Sequence, residues 1–201
     1  MSVVLKSISY IFHPLMMPFF AVCFYFTKSP RFIPLPIIKV KLYSLVLLTI
    51  ILPILLFFVL KTLRKVNTVN LATPKERIIP LTINCIIVLF IVQRLLPSNE
   101  ITELYFFFIG MLLSTLSCLM LALLNFKASI HMIASGGVLL FLIALSIHFN
   151  ININGTLAIF FIIIGAIATS RLHLNAHTNI ELIIGFFVGL IPQLIVLNYW
   201  L

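Results

Sequence analysis

The sequence contains very little charge, and acidic residues are the scarcest of all. Only 8% of its 201 residues are charged, aspartate is absent, and four glutamates oppose 13 lysines and arginines. A water-soluble domain does not combine so few charges with 63% hydrophobic residues. The shortage of charge therefore excludes a soluble globular protein and predicts an integral membrane protein.

Cysteine is also scarce and follows no pairing pattern. The chain has 3 cysteines, Cys23, Cys85 and Cys118, each inside an apolar run. An odd number without metal-ligand spacing excludes a disulfide framework and a zinc cluster.

The net charge of +9 lies in short links between apolar runs. It therefore favours lipid headgroups or lipid phosphate as partners, and we expect no nucleic acid.

Apolar runs long enough to cross a bilayer recur along the chain. Crossing about 30 Å of hydrocarbon takes roughly 20 helical residues, because backbone polar groups inside lipid must be hydrogen-bonded within the helix. The pattern predicts an all-α polytopic membrane bundle of six to seven transmembrane helices, in one transmembrane domain over residues 1–201. The candidate spans are 8–27, 42–60, 78–95, 104–124, 132–149, 156–169 and 182–200.

The first run, residues 8–27, follows a lysine as a signal peptide does. It contains His13, Pro14 and Pro18, however, and lacks a small-residue cleavage site, so we expect it to remain as a span. His13 is expected to be a polar residue at a helix kink. We expect His148, at the far end of the fifth span, to be structural as well.

Successive links alternate between the two membrane faces, and this parity groups the polar side chains. The links at 61–77, 125–131 and 170–181 share one face. They contain Lys75, Arg77, Lys127, His131, Arg171, His177 and Glu181. The remaining basic residues number four on this face and five on the other, so positive-inside counting favours neither orientation. Polar chemistry is predicted to be concentrated on one face.

A histidine and a carboxylate beside hydrocarbon usually mark a functional site. His177 and Glu181 are four residues apart, so on a helix they share one face and the carboxylate can accept a hydrogen bond from one imidazole nitrogen. The other nitrogen keeps its lone pair, which activates a histidine as a nucleophile. Gly185 and Gly189 continue the same stripe and predict the close approach of a neighbouring helix.

Two further groups supply cations and an acid. Lys127, Ser129 and His131 lie at the start of the fifth span, where the histidine can protonate a leaving alkoxide and the other two can hold phosphate oxygens. Lys75 and Arg77 add two cations before the third span. Phosphoryl transfer needs mainly positioning and positive charge around the phosphate oxygens. Together the three groups predict a phosphate site.

The third group resembles the last motif of the type 2 phosphatidic acid phosphatase superfamily. That family has the motifs Lys-x6-Arg-Pro, Pro-Ser-Gly-His and Ser-Arg-x5-His-x3-Asp. Here Ser170, Arg171 and His177 are in register, and Glu181 takes the place of the aspartate. Because glutamate is one methylene longer than aspartate, the helix would need a slightly different position to form the same hydrogen bond.

The other two motifs are less complete. Residues 128–131 read Ala-Ser-Ile-His and keep the serine and histidine, with Ile130 at the glycine position. The first motif is degenerate, with Lys75 and Arg77 in the right region at a different spacing. The phosphatase-like core would cover approximately residues 61–190.

This resemblance implies a membrane-embedded lipid phosphate or polyprenyl diphosphate phosphatase or phosphotransferase. His177 would form a phosphohistidine, Glu181 would orient it, and His131 would protonate the leaving group. The phosphate would be held by Arg171, Lys75, Arg77, Ser129, Lys127 and Ser170. No metal or other cofactor would be needed, and the substrate would be a lipid or isoprenoid phosphate. We expect a bacterial inner-membrane protein, and the resemblance implies a site that faces outward.

Other interpretations of the same residues stay open. His177 and Glu181 also fit a buried polar pair that joins helices. With His173 they are spaced at i, i+4 and i+8, as three ligands of a metal-dependent membrane hydrolase would be. Ile130 and the degenerate first motif fit a catalytically degenerate protein that binds lipid phosphate or assists a partner.

Overall fold

The computed structural model of the protein describes residues 2–66, 71 and 73–201, with side chains from residue 5 onward. These residues form eight helices and no strand. The helices are α1 (Ser2–Ile11), α2 (Met17–Lys28), α3 (Leu35–Thr62), α4 (Pro74–Leu95), α5 (Thr102–Leu123), α6 (Ile130–His148), α7 (Asn154–His173) and α8 (Asn179–Leu197). Six of them, α3 to α8, are long and apolar enough to cross a membrane. The predicted all-α membrane bundle is confirmed.

The predicted first span, residues 8–27, is divided into two helices. His13 and Pro14 lie in the break between α1 and α2. Proline has no N–H to donate, and it disfavours the helical conformation of the residue before it. At 10 and 12 residues, each piece is shorter than the roughly 20 residues of a spanning helix. The prediction of one continuous span was wrong here.

The second span is longer than predicted, because α3 begins at Leu35 and includes residues that we assigned to a basic link. Its helix widens into a π-helical turn at Leu47–Ile51, just before Pro53. A proline ring inside a helix removes one hydrogen bond and crowds the preceding turn, and a wider turn relieves this conflict. The five later spans, including the sixth at Asn154–His173, are confirmed within a few residues.

Asparagines and threonines set several helix boundaries. Asn125, Asn150 and Asn175 follow α5, α6 and α7 with positive φ angles of 60°, 51° and 49°. Asparagine tolerates this left-handed conformation, which ends a helix. Thr73 accepts the Glu76 N–H at the start of α4. The short connections that follow Asn125 and Asn175 hold candidate site residues.

Helix α6 lies in the centre of the bundle, with 61% of its spanning window buried against 11% for α3. It packs closely on α8 through glycines. A Cβ atom at Gly185 would lie 2.8 Å from the carbonyl oxygen of Ser129, and one at Gly189 would overlap the carbonyl of Ile133. The predicted close approach along this stripe is confirmed.

A second polar cluster lies at the other end of the bundle, which the prediction of one polar face did not include. Glu103, 1% exposed, contacts Arg31 at 2.6 Å, Tyr25 at 3.1 Å and His148 at 3.2 Å. These contacts join α2, α5 and α6, so His148 has the structural role that we expected. A buried carboxylate needs such partners to offset its desolvation.

Candidate active site

The three predicted links meet at one end of the bundle. Residues 67–70 and 72 of the first link lie outside the described residues. Arg77 donates to the Ala128 carbonyl at 2.6 Å, and Lys127 donates to the Ala176 carbonyl at 2.9 Å. The backbone N–H of Ser129 donates to the Glu181 carbonyl at 3.1 Å. The shared face predicted from parity is therefore confirmed.

His177 and Glu181 form the predicted hydrogen bond by a different local route. His177 Nδ1 lies 2.8 Å from Glu181 Oε2. α8 begins only at Asn179, however, so the two residues do not share a helical face. Thr178 caps the helix, and Glu181 accepts its N–H at 3.1 Å in a capping box. The carboxylate reaches back over the helix start to the imidazole.

The environment of His177 keeps its ring neutral. The side chain is 2% exposed. Burial, together with the charges of Arg77 and Lys127, lowers the pKa of His177, and the hydrogen bond to Glu181 opposes this only in part. An ionised carboxylate can only accept, so Nδ1 carries the proton and Nε2 keeps its lone pair.

Arg171 and Ser129 are buried with unsatisfied polar atoms. They are 7% and 0% exposed. Neither the Arg171 Nε nor the Ser129 Oγ has a hydrogen-bond partner among the described residues, and no described carboxylate forms an ion pair with Arg171. A buried guanidinium without a counter-ion is costly. An anionic ligand would remove that cost with charge-assisted hydrogen bonds.

His131 and Ser170 are held by the N-terminal helix α1, a contact that the motifs did not predict. The Ser170 hydroxyl donates to the Leu5 carbonyl at 2.6 Å and accepts from the Ser9 hydroxyl at 2.7 Å. His131 Nε2 lies 3.2 Å from the Ser9 carbonyl. Because a carbonyl only accepts, neutral His131 carries its proton on Nε2 and leaves Nδ1 as an acceptor. The ring of His13 also packs against His131.

The candidate cations differ in availability. Arg77 is buried, and its Nη1 and Nε atoms donate to the carbonyls of Ala128 and Leu71. Lys127 is partly buried, and burial and the charge of Arg77 lower its pKa. Lys75 is exposed and forms no hydrogen bond or ion pair with a described residue. Of the two first-motif cations, the structure brings only Arg77 to the other site residues.

His173 is exposed at the end of α7, and the described residues contain no group of three His, Cys, Asp or Glu side chains arranged for a metal ion. The predicted i, i+4, i+8 stripe is absent because the helix ends before His177.

Ile130 packs against an apolar cluster that includes Leu81 and Cys118. The Ile130 side chain is thus accommodated by the core.

The assembled residues bring three cations, Arg77, Lys127 and Arg171, to the same end of a membrane bundle as the neutral imidazole of His177, a chemistry that suits an anionic ligand. Comparisons with protein-family models, curated proteins and solved structures found no match to this chain.

Proposed function

We propose that this protein is a membrane-embedded phosphatase or phosphotransferase that acts on a lipid or isoprenoid phosphate through a phosphohistidine at His177. The observation that carries the proposal is the arrangement of His177. Its Nδ1 is bonded to Glu181 at 2.8 Å, and its Nε2 is the free nucleophilic nitrogen in a cluster of cations.

The proposed reaction has two steps. The anionic phosphate favours uptake of a proton on Nδ1 of His131 when the substrate binds. The Nε2 of His177 then forms a bond to phosphorus as the bond to the leaving oxygen breaks, and His131 gives that oxygen its Nδ1 proton. Water, or an acceptor alcohol, then attacks the phosphohistidine and returns its proton to His131. His177 leaves as the neutral ring. Glu181 stabilises the positive charge that develops on His177 during attack.

The cations and orphaned donors support a phosphate group as the ligand. Arg171 offers a buried guanidinium and Ser129 a buried hydroxyl, both with unsatisfied atoms. Arg77 and Lys127 add positive potential nearby, which Glu181 offsets only in part. Phosphoryl transfer depends mainly on such positioning and charge.

A lipid substrate is favoured by where the site lies. The residues occupy the links at one end of helices that are apolar enough to cross a membrane. An amphiphile can present its phosphate at that depth while its tail remains among the helices. The resemblance to the type 2 phosphatidic acid phosphatase superfamily adds phosphatidic acid, phosphatidylglycerol phosphate and polyprenyl diphosphate as the substrates to test.

The test is phosphate release from a lipid panel by the purified protein, with and without a chelator. We expect release that survives chelation, and a labelled phosphohistidine that is acid-labile and base-stable. His177→Asn should lose at least about a thousandfold in rate, whereas His173→Asn on the same face should retain it. Unchanged turnover in His177→Asn would refute the nucleophile. Activity lost on chelation and restored by zinc would favour a metal-dependent hydrolase instead.

We also propose that the site faces outward across a bacterial inner membrane. The assay replaces Cys23, Cys85 and Cys118 with alanine and introduces one cysteine at Thr73, which is exposed on the site face. A membrane-impermeant thiol reagent applied to intact cells should label it. Labelling only after the membrane is broken would place the site on the inward face.

A second candidate function is lipid phosphate binding without turnover. It is favoured by Arg77 and Lys127, each of which already donates to a main-chain carbonyl, and by His131, whose Nε2 is occupied by Ser9. A protein of this kind would bind phosphatidic acid and release no phosphate from any lipid. The lipid panel therefore separates the two functions.

A further inference from the structure

His13 lies next to the candidate site although it is far from every motif in the sequence. It occupies the break between α1 and α2 and is half-buried. Its ring centroid lies 5.6 Å from that of His131, and the rings meet edge to face at 79°. The charge of Arg171, from α7, also acts on the His13 ring, and Ser9, from α1, bonds the neighbouring His131. The break that divides the first predicted span thus carries a histidine to the site.

The local hydrogen bond fixes which nitrogen of His13 carries the proton. The backbone N–H of Leu15 donates to His13 Nδ1 at 3.3 Å. An N–H only donates, so Nδ1 must be the acceptor and Nε2 must carry the proton. Burial, and then the charge of Arg171, lower the pKa of His13, so the ring is neutral at neutral pH.

The Nε2–H group of His13 is an unused donor. None of the described residues accepts a hydrogen bond from it. It lies at the same end of the bundle as the unsatisfied Arg171 Nε and Ser129 Oγ. Meanwhile Arg77 donates to carbonyls and Lys75 is exposed. Three donors without a partner among the described residues therefore lie at the end of the bundle where an anion is expected.

We propose that His13 is a further phosphate-binding residue, which donates its Nε2–H to an oxygen of a phosphate monoester. The inference rests on the phosphate site of the proposed function and deepens it. The N-terminal segment, outside the phosphatase-like core of residues 61–190, then completes the set of donors. A neutral donor suits this position because a further cation beside Arg171 would add repulsion.

Two substitutions test the donor directly. Glutamine places an amide N–H₂ near the position of Nε2, and asparagine places its amide near Nδ1. The affinity of inorganic phosphate for the purified protein is measured by calorimetry. His13→Asn should weaken binding by roughly tenfold to a hundredfold, as expected for a hydrogen bond to a charged group. His13→Gln should stay within about threefold of the wild type, as should the exposed control His173→Asn.

The outcomes separate this inference from the proposed function. Wild-type affinity in His13→Asn overturns the role of His13, while turnover by the wild type would still support the proposed function. Phosphate binding that depends on His13, without turnover of any lipid, supports His13 and refutes the phosphatase. No phosphate binding by the wild type overturns the role of His13, and phosphate release from the lipid panel then decides the proposed function by itself.

Nuclear magnetic resonance of the wild-type protein with ¹⁵N-labelled histidines tests the inference without any substitution that could disturb folding. His13 should carry its proton on Nε2, and its ring signals should shift on addition of inorganic phosphate. They should also shift in nanodiscs when phosphatidic acid is added to phosphatidylcholine. A proton on Nδ1 overturns the proposal. A response to inorganic phosphate alone assigns a soluble ligand and overturns the lipid substrate.

Discussion

Oε2 of Glu181 lies 2.8 Å from Nδ1 of His177 and also accepts the N–H of Thr178 at 3.1 Å. One carboxylate therefore caps α8 and orients the imidazole. The main-chain carbonyl oxygen of Glu181 also accepts a hydrogen bond from the N–H of Ser129. The stability of this helix start and the geometry of the site depend on the same side chain.

The two roles of Glu181 should separate in a pair of variants. Glu181→Gln keeps an acceptor oxygen but removes the charge, so the turnover number should fall by roughly tenfold to a hundredfold with little change in stability. Glu181→Ala removes the acceptor as well. It should also lose about 1 kcal/mol of stability, the usual contribution of a helix cap. Phosphate-release kinetics and chemical unfolding in detergent provide the measurements. Equal effects of both variants on stability would contradict the double role.

Arg171 should lower stability when no anion is bound. Its guanidinium is buried, its Nε has no described partner, and no described carboxylate pairs with it. Arg171→Met should therefore leave the phosphate-free protein as stable as the wild type or more stable, because a buried unpaired charge is removed. Added phosphate should raise the melting temperature of the wild type but not that of the variant.

The control for this comparison is Arg64→Met, since Arg64 is exposed. It should preserve the stabilisation by phosphate. Strong destabilisation of phosphate-free Arg171→Met would show that the arginine serves the fold, and would count against an anion site.

The pH dependence of stability should report the buried state of His177. Its pKa in the folded protein is lowered from the ordinary value of 6.5, so the unfolded chain takes up its proton at higher pH. The contribution is fully present above about 6.5 and is lost as pH falls toward the folded pKa. The free energy of unfolding, measured from pH 7.5 to 5, should fall less steeply in His177→Asn than in the wild type. Parallel curves would mean that His177 titrates normally.

Much of the site was predictable because membrane parity depends on the number of spans and not on their boundaries. The prediction placed the second span seven residues late, and Arg77, Lys127 and His177 still came together. His177 and Glu181 were paired correctly from their spacing, although Asn175 and Thr178 end one helix and start another around them. The predicted pair still forms because Glu181, in the capping box, turns its side chain back over the start of the helix, where it reaches both Thr178 and His177.

Other parts of the site carried no local signal. The sequence prediction treated Lys75 and Arg77 alike. Side chains two residues apart on a helix point in directions that differ by roughly 200°, so only Arg77 faces the other links. The contact of Ser9 with Ser170 joins residues 161 positions apart. The role of α1 and the neighbourhood of His13 followed only from tertiary packing, and the same holds for the Glu103 cluster at the opposite end.

The glycine at position 185 ties helix packing to the site, and a matched pair of substitutions tests this. A Cβ atom there would lie 2.8 Å from the Ser129 carbonyl oxygen and 3.0 Å from its nitrogen. Gly185→Ala should therefore push α6 and α8 apart and move Ser129, lowering both stability and phosphate affinity. Gly165→Ala is the control, because nothing lies within 4 Å of a Cβ atom at Gly165.

The control replaces glycine by a better helix former at an open position, so it should be neutral or slightly stabilising. For Gly185→Ala we expect a loss of roughly 1–3 kcal/mol from overpacking, measured by unfolding in detergent. Phosphate affinity should fall with it, because the backbone that shifts is that of Ser129. A variant that loses stability but binds phosphate like the wild type would separate the glycine contact from the site and place the phosphate elsewhere.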